Sequence, residues 1–334
     1  MCWAPTANCG VLKMARWNRE VHMKSFTKFI ATAAIALTAA LSAQSATAQQ
    51  ELRIGTASLG GAYYPMGQAL SANVNSFAEG YTMVPIVTGG GLENPRLVAS
   101  GEVDLALAPA SLSFLAAGGK GPYKEALDIR GVGALHSSVL HMVTLPGSGI
   151  ESIEDLKGRT VAVGPAGGGT LSMMRNLFKL YDMTMDDITP SFLSYADGMS
   201  QLADGNVDAS FALAGFPTGA VAQISATNDL AFIELGEAKM TELVDTYPYY
   251  TRLEVPADVY GSDNAITVIG SPNLLITRAD MDEELVTKLA EAIYGNLDAL
   301  IAENALAAKI VPEQSLSLPI ELHPGAAKFF GATK

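Results

Sequence analysis

RIGTASLGGAYYPMGQALSANVNSF, residues 53–77, joins a short apolar strand to an amphipathic helix. The strand ends at Ile54, and a turn of small residues follows, Gly55-Thr56-Ala57-Ser58-Leu59-Gly60-Gly61. Met66, Leu70, Val74 and Phe77 then recur at helical spacing on one face. The first N–H groups of a helix have no partner inside it, and the helix dipole adds partial positive charge there. Glycine lets a ligand approach the bare backbone. The segment therefore suits an anionic or carbonyl-bearing small molecule, with Tyr63 and Tyr64 adding flat walls and two hydroxyls. An ordinary strand-to-helix turn accounts for the same residues equally well.

The chain has 334 residues, 49% of them apolar, with a mean hydropathy of +0.23 and a net charge of −13. Of its 21 basic and 34 acidic residues, five basic and one acidic lie within residues 1–48, so the remainder carries −17. No basic patch suits nucleic acid, and an acidic body repels anionic membrane surfaces. Lys24 and Lys28 precede an apolar run from Phe29 to Leu41, and Ala46-Thr47-Ala48 forms an A-x-A cleavage site. Residues 23–48 thus read as a cleaved secretory signal peptide, with 1–22 an extension ahead of the start at Met23. The run is too short to span a bilayer. Cys2 and Cys9 both fall in the extension, so the exported chain relies on its core rather than on disulfides. With no lipobox cysteine at the cleavage site, the expected product is soluble and periplasmic.

Beyond residue 51 strand and helix alternate, which argues for an α/β architecture with mainly parallel sheets. Strands are expected at Tyr81–Val87, with Pro85 marking an edge, and at Asp104–Ala108, Val132–Leu145, Arg159–Gly164, Ser191–Tyr195, Val207–Ala214, Leu230–Leu235 and Ala265–Thr277. Helices are expected around Leu92–Ser100, from Leu171 to Tyr181, and over Asp280–Leu300. About 286 residues after the signal favour two domains. The long runs at 132–145 and 265–277 are the candidate crossings between them. Domain I is assigned to 49–138 with 260–334, and domain II to 139–259. Thr88–Asn94, Gly164–Thr170 and Ala214–Thr218 resemble the first glycine loop. Ligands of open α/β sheets bind beyond the carboxyl ends of strands, so the four loops would line one cleft.

Catalytic and metal chemistry find no pattern here. Gly164–Thr170 lacks the Gly-Lys-Ser/Thr of a P-loop, and no dinucleotide fingerprint follows a strand. There is no nucleophile elbow and no Ser/His/Asp set arguable by position. His22, His136, His141 and His323 are the only histidines, and none has metal-ligand spacing. No enzyme activity, cofactor or metal is therefore expected. His136 and His141 lie five apart on a strand-like run and face opposite ways. His141 reads as a core or turn residue, whereas His136 stands where the chain enters the cleft. Glu93 reads as a first-turn acid, and Asn94 as either a cap or a ligand contact. Met173 and Met174 read as core. Tyr247-Pro248-Tyr249-Tyr250 suits a cleft lip or a hydrophobic anchor.

A further set of motifs runs the length of the chain. It comprises Ile54-Gly55-Thr56, Gly60-Gly61-Ala62-Tyr63-Tyr64-Pro65, Thr88-Gly89-Gly90, Glu93-Asn94 and Gly101-Glu102-Val103-Asp104-Leu105-Ala106. Ser148-Gly149-Ile150, Asp155-Leu156-Lys157-Gly158, Gly215-Phe216-Pro217, Tyr247-Pro248-Tyr249-Tyr250 and Leu322-His323-Pro324-Gly325-Ala326 complete it. In combination these resemble the TAXI family of TRAP-transporter solute-binding proteins. The resemblance implies a type II periplasmic-binding-protein fold, in which two α/β domains close on one solute. It also implies a monomer that docks on a TRAP membrane permease and carries a small carboxylate, such as an amino acid or organic acid.

This chain departs from the family pattern at three of the expected cleft segments. Ala108-Pro109-Ala110-Ser111 stands for a Val-Gln-Ser-Asp type, Gly167-Gly168-Gly169-Thr170 for Gly-Ser-Gly-Thr, and Leu135-His136-Ser137-Ser138 for Leu-Tyr-Pro-Glu. Polar side chains are lost, which points to a smaller or less polar carboxylate. A buried ligand group left unpaired costs about 1–3 kcal/mol. The expected mechanism is capture without chemistry. Backbone N–H groups of Gly60, Gly61, Gly90, Gly168 and Gly169 hold the solute oxygens, in the loop that also carries Ser58 and in its counterparts. Thr88, Asn94, Ser111 and Thr170 add directional bonds. Tyr63, Tyr64, His136 and the Gly215-Phe216-Pro217 loop complete the wall, with Tyr64 and Phe216 over the carbon skeleton. A sensor for a signalling partner, or an enzyme on the same fold, are the alternatives.

Overall fold

The computed structural model describes Gln49–Tyr247 and Tyr249–Gly331. The readings of the signal peptide, the cleavage site, Cys2 and Cys9 lie outside the described residues. Strand β1 (Gln50–Gly55) buries Leu52 and Ile54 and pairs in parallel with β2 (Tyr81–Ile86) and β3 (Leu105–Pro109). Between them run α1 (Tyr63–Phe77) and α2 (Asn94–Ser100), and α3 (Ala110–Ala117) leaves β3 directly. Strand β2 is the end of the sheet path, where Pro85 leaves no ladder donor missing on an outer neighbour.

The second half repeats the theme. Strand β4 (Ile129–Thr144) leads to β5 (Thr160–Ala162), α4 (Gly169–Lys179), β6 (Thr189–Ser191), α5 (Tyr195–Ala203), β7 (Ala209–Ala214) and α6 (Gly219–Ser225). Then come β8 (Ala231–Phe232), α7 (Glu237–Thr246), β9 (Thr251–Val255) and β10 (Ile266–Arg278). The chain closes with α8 (Glu283–Tyr294), α9 (Leu297–Glu303) and α10 (Pro324–Phe329). Among the described residues the sheet order is β2-β1-β3-β10-β4-β7-β5-β6, with β8 on β4 and β9 on β10.

The two long strands join the halves. Residues 129–138 of β4 pair with 271–278 of β10, whereas 139–144 pair with β7. Residues 273–277 of β10 pair with β3, and 266–270 pair with β9. Both strands therefore change partners within a few residues of Ser138 and Ser271, beside a register shift between Pro272 and Leu274. Asn273 ties this point together. Its amide donates to the His136 carbonyl at 2.7 Å and to Ser138 Oγ at 2.8 Å, and its oxygen accepts from Tyr63 Oη at 2.6 Å. One apolar cluster spans both halves, and each half has a further cluster of its own.

Two expectations are corrected, and one open alternative is resolved. The helix expected over Asp280–Leu300 is two helices, because Gly295 is a weak helix former and the Asn296 amide bonds the carbonyls of Glu291 and Ala292 instead. Ser191–Tyr195 is not a strand: β6 ends at Ser191, and Ser194 caps α5 by accepting from Asp197 N at 3.1 Å. The tyrosines around residue 248 form an anchor. Tyr250 is 3% exposed, meets Tyr249 edge-on at 4.8 Å, and accepts from Asn176 Nδ2 at 3.1 Å.

His141 is a core residue whose ring nitrogens lie 3.2 Å from the Ala212 carbonyl and 2.9 Å from Tyr260 Oη. Burial lowers its pKa to about 4, and burial with Lys309 nearby does the same for His136. Both folded values lie below the ordinary 6.5, so the unfolded chain takes up protons first as pH falls. Stability from these two rings is complete above pH 6.5 and is lost between there and about pH 4. Melting temperature should decline across that window, and His136→Leu should make the decline shallower. An unchanged slope in that variant would contradict the assignment.

Candidate functional site

The carboxyl ends of the parallel strands from both halves point to one place. The loop after β1 meets α5 and α6, and the loop after β2 meets the loop after β5. Gly60 carbonyl accepts from Thr218 Oγ1 and Ala220 N, each at 3.0 Å. Gly167 carbonyl accepts from Leu92 N at 2.9 Å and Glu93 N at 3.1 Å. Glu93 also closes its own loop by accepting from Gly89 N at 2.5 Å. The backbones touch so closely that a Cβ on Gly167 would stand 3.1 Å from Gly89 Cα. The two halves are closed against each other.

A cavity of about 20 Å³ lies beneath these contacts. Ala57, Ser58, residues 61–63 and 89–91, and Pro109 line it from one half, and Pro165, Gly168, Gly169, Tyr195 and Leu213 from the other. The starts of α1 and α4 line it, and α3 touches it through its cap Pro109, which carries no N–H, so first-turn N–H groups and positive ends of two helices face it. The Ser58 hydroxyl is buried and has no hydrogen-bond partner. Tyr195 Oη lies 2.8 Å from Thr170 Oγ1 and donates to the Leu213 carbonyl at 3.2 Å, and burial raises its pKa. Tyr63 Oη is likewise committed to Asn273 and its pKa is raised by burial. Both tyrosines therefore keep neutral hydroxyls and turn ring surface toward the cavity.

Of the residues singled out from sequence, Ser58, Gly61, Tyr63, Gly90, Gly168 and Gly169 line the cavity. Two of their amides are used inside their own loops: Gly90 N donates to Thr88 Oγ1 at 3.1 Å, and Gly168 N to the Pro165 carbonyl at 2.8 Å. Gly60 sits at the seam between the halves. Asn94 is fully buried and structural. Its Nδ2 donates to the carbonyls of Thr56 and Leu107, each at 2.7 Å, and its Oδ1 accepts from Thr88 Oγ1 at 2.7 Å. Thr170 supports the wall from behind, taking Leu213 N at 3.2 Å on its hydroxyl. Tyr64 and Ser111 lie outside the lining. So does His136, which is buried against Gly215 with neither ring nitrogen partnered. Phe216 packs under Lys309, whose Nζ is 3.2 Å from the ring centroid and bonds the Phe216 carbonyl at 2.9 Å; Pro217 is exposed. Sequence reading missed Tyr195 and Leu213, and it placed Pro109 and Pro165 in cleft segments without naming either as a site residue. The signal for Tyr195 was available, since Ser194 with Asp197 three residues on marks a helix start.

Among the described residues there is no cluster of three or more metal-ligating side chains, and no helix is long and apolar enough to cross a membrane. A model of the NMT1-like family matches residues 54–331. Among solved structures, MatC from Rhodopseudomonas palustris with bound malate is 14% identical, with a TM-score of 0.55 over 84% of this chain and 97% of that one. A protein from Bordetella bronchiseptica RB50 is 15% identical, with a TM-score of 0.51 over 85% of this chain and 89% of that one. The periplasmic aliphatic sulphonate binding protein SsuA from Escherichia coli is 18% identical, with a TM-score of 0.42 over 85% and 80%. The two likenesses above 0.5 are likenesses of fold: a mixed α/β molecule of the type II periplasmic-binding-protein kind, two α/β domains about a ligand cleft.

Proposed function

This chain belongs to the NMT1-like family, and we propose that it is a periplasmic solute-binding protein that captures a small carboxylate-bearing solute without chemistry. The observation carrying this reading is the meeting of two helix starts, the cap of a third helix and an unpartnered serine hydroxyl on one cavity between two closed halves. Partial positive charge from helix starts suits a carboxylate. The proposed lobes are residues 49–138 with 260–334 and residues 139–259, hinged where β4 and β10 cross. A ligand that favours the closed form shifts the population toward it, and a membrane permease then reads that shape. The TAXI motifs, Gly101-Glu102-Val103-Asp104 and Tyr63-Tyr64-Pro65 among them, support a TRAP permease as the partner. Solute uptake driven by an ion gradient and indifferent to ATP depletion is the expected behaviour of the reconstituted pair.

Binding itself is tested by thermal shift of the purified protein against organic acids and amino acids. A ligand that binds only the folded form stabilises it by about 2.7 kcal/mol at one hundred times its Kd. A clear upward shift with a carboxylate is expected. A screen in which no solute moves the melting point would overturn the reading.

A further inference from the structure

The cavity lining contains no Asp, Glu, Lys, Arg or His. Charge on a ligand is therefore met by helix starts and hydroxyls alone. The helix starts present only partial positive charge, and no carboxylate lines the cavity to offset a cation. The ammonium of an amino acid would be buried without a carboxylate beside it, a burial that carries a heavy penalty. The nearest acid loop, at Glu93, is turned to its own Gly89 N–H.

The number of available donors is limited as well. The hydroxyls of Tyr63 and Tyr195 are committed to Asn273 and Leu213, and Gly90 N and Gly168 N bond within their loops. What remains is the Ser58 hydroxyl and the first-turn amides, enough for one carboxylate head. The rest of the wall is methyl, ring and proline surface, from Ala57, Ala62, Pro109, Pro165 and Leu213. A volume of about 20 Å³ holds little more than a water molecule. Each further ligand atom must spread the halves and loosen the bonds at Gly60 and Gly167.

Resting on the solute-capture reading, we propose that the ligand is a short-chain monocarboxylate without an amino group. Its head bonds Ser58 and the helix starts, and its short body lies against Tyr63 and Tyr195.

Calorimetric titration of the full purified chain with matched pairs tests this. Propionate against alanine isolates the ammonium, and butyrate against succinate isolates the second carboxylate. At least one monocarboxylate should bind, and should do so at least about 100-fold more tightly than its charged partner. Ser58→Ala should weaken that binding about tenfold. Alanine or succinate binding as well as its partner would overturn the ligand class while leaving solute capture standing. So would silence from all four probes when another solute raises the melting point. Silence from every solute would overturn both. An undiminished affinity in Ser58→Ala would remove the proposed place of the head.

Discussion

Gly60→Ala loses tight solute binding while the protein stays folded. Gly60 holds φ at +89°, a conformation that L side chains adopt only under strain, and an added Cβ would stand 2.8 Å from the Ala196 backbone nitrogen. That nitrogen belongs to α5, on the opposite half, so the clash falls on closure rather than on folding of either half. Backbone strain costs roughly 1–3 kcal/mol of folding stability whether or not the halves close, so the loss of affinity comes from the cross-half contact. Gly80 provides the control. It holds the same φ of +89° with nothing within 4 Å of an added Cβ. Gly80→Ala should therefore share the strain and keep the affinity. Small-angle scattering should show the Gly60→Ala protein more open than the parent in saturating solute. Equal affinities for the two variants would mean that the Gly60 seam does not govern capture.

Asn94→Ala unfolds the protein earlier rather than simply weakening binding. The side chain is fully buried, and its amide bridges the carbonyls at the ends of β1 and β3 while its oxygen holds Thr88. Removal takes a donor from two buried carbonyls and leaves the Thr88 hydroxyl only the Thr56 carbonyl to donate to, at about 2–4 kcal/mol together. For a chain of this size that lowers the melting temperature by roughly 5–10 °C. An unchanged melting temperature with a large loss of affinity would return Asn94 to the ligand.

These two residues also mark what sequence reading can and cannot reach. The strand–glycine–helix pattern of residues 53–77 is legible because hydrophobic spacing, glycine and helix start all agree. The long apolar runs that became β4 and β10 are legible for the same reason, and their length is what lets them serve both halves. Asn94 looks identical in sequence whether its amide faces solute or backbone. Only the arrival of β3 beside β1 decides, a contact between residues far apart in the chain. Thr170 is ambiguous in the same way until Tyr195 folds behind it. Tyr195 itself was hidden by β-prone neighbours that outweighed the cap at Ser194. The smallness of the cavity was foreshadowed by the missing polar side chains at Pro109 and Gly168. Its size came from direct backbone contact between glycine loops, which no single segment announces.

The account rests on solute being gripped at helix starts between two halves that close. A crystal structure of the protein with its most stabilising solute tests this most directly. The solute should lie between Ser58 and Gly61 on one side and Gly169 on the other, its carboxylate toward the helix starts. A solute seated elsewhere on the molecule, or held between halves with those loops out of reach, would contradict it.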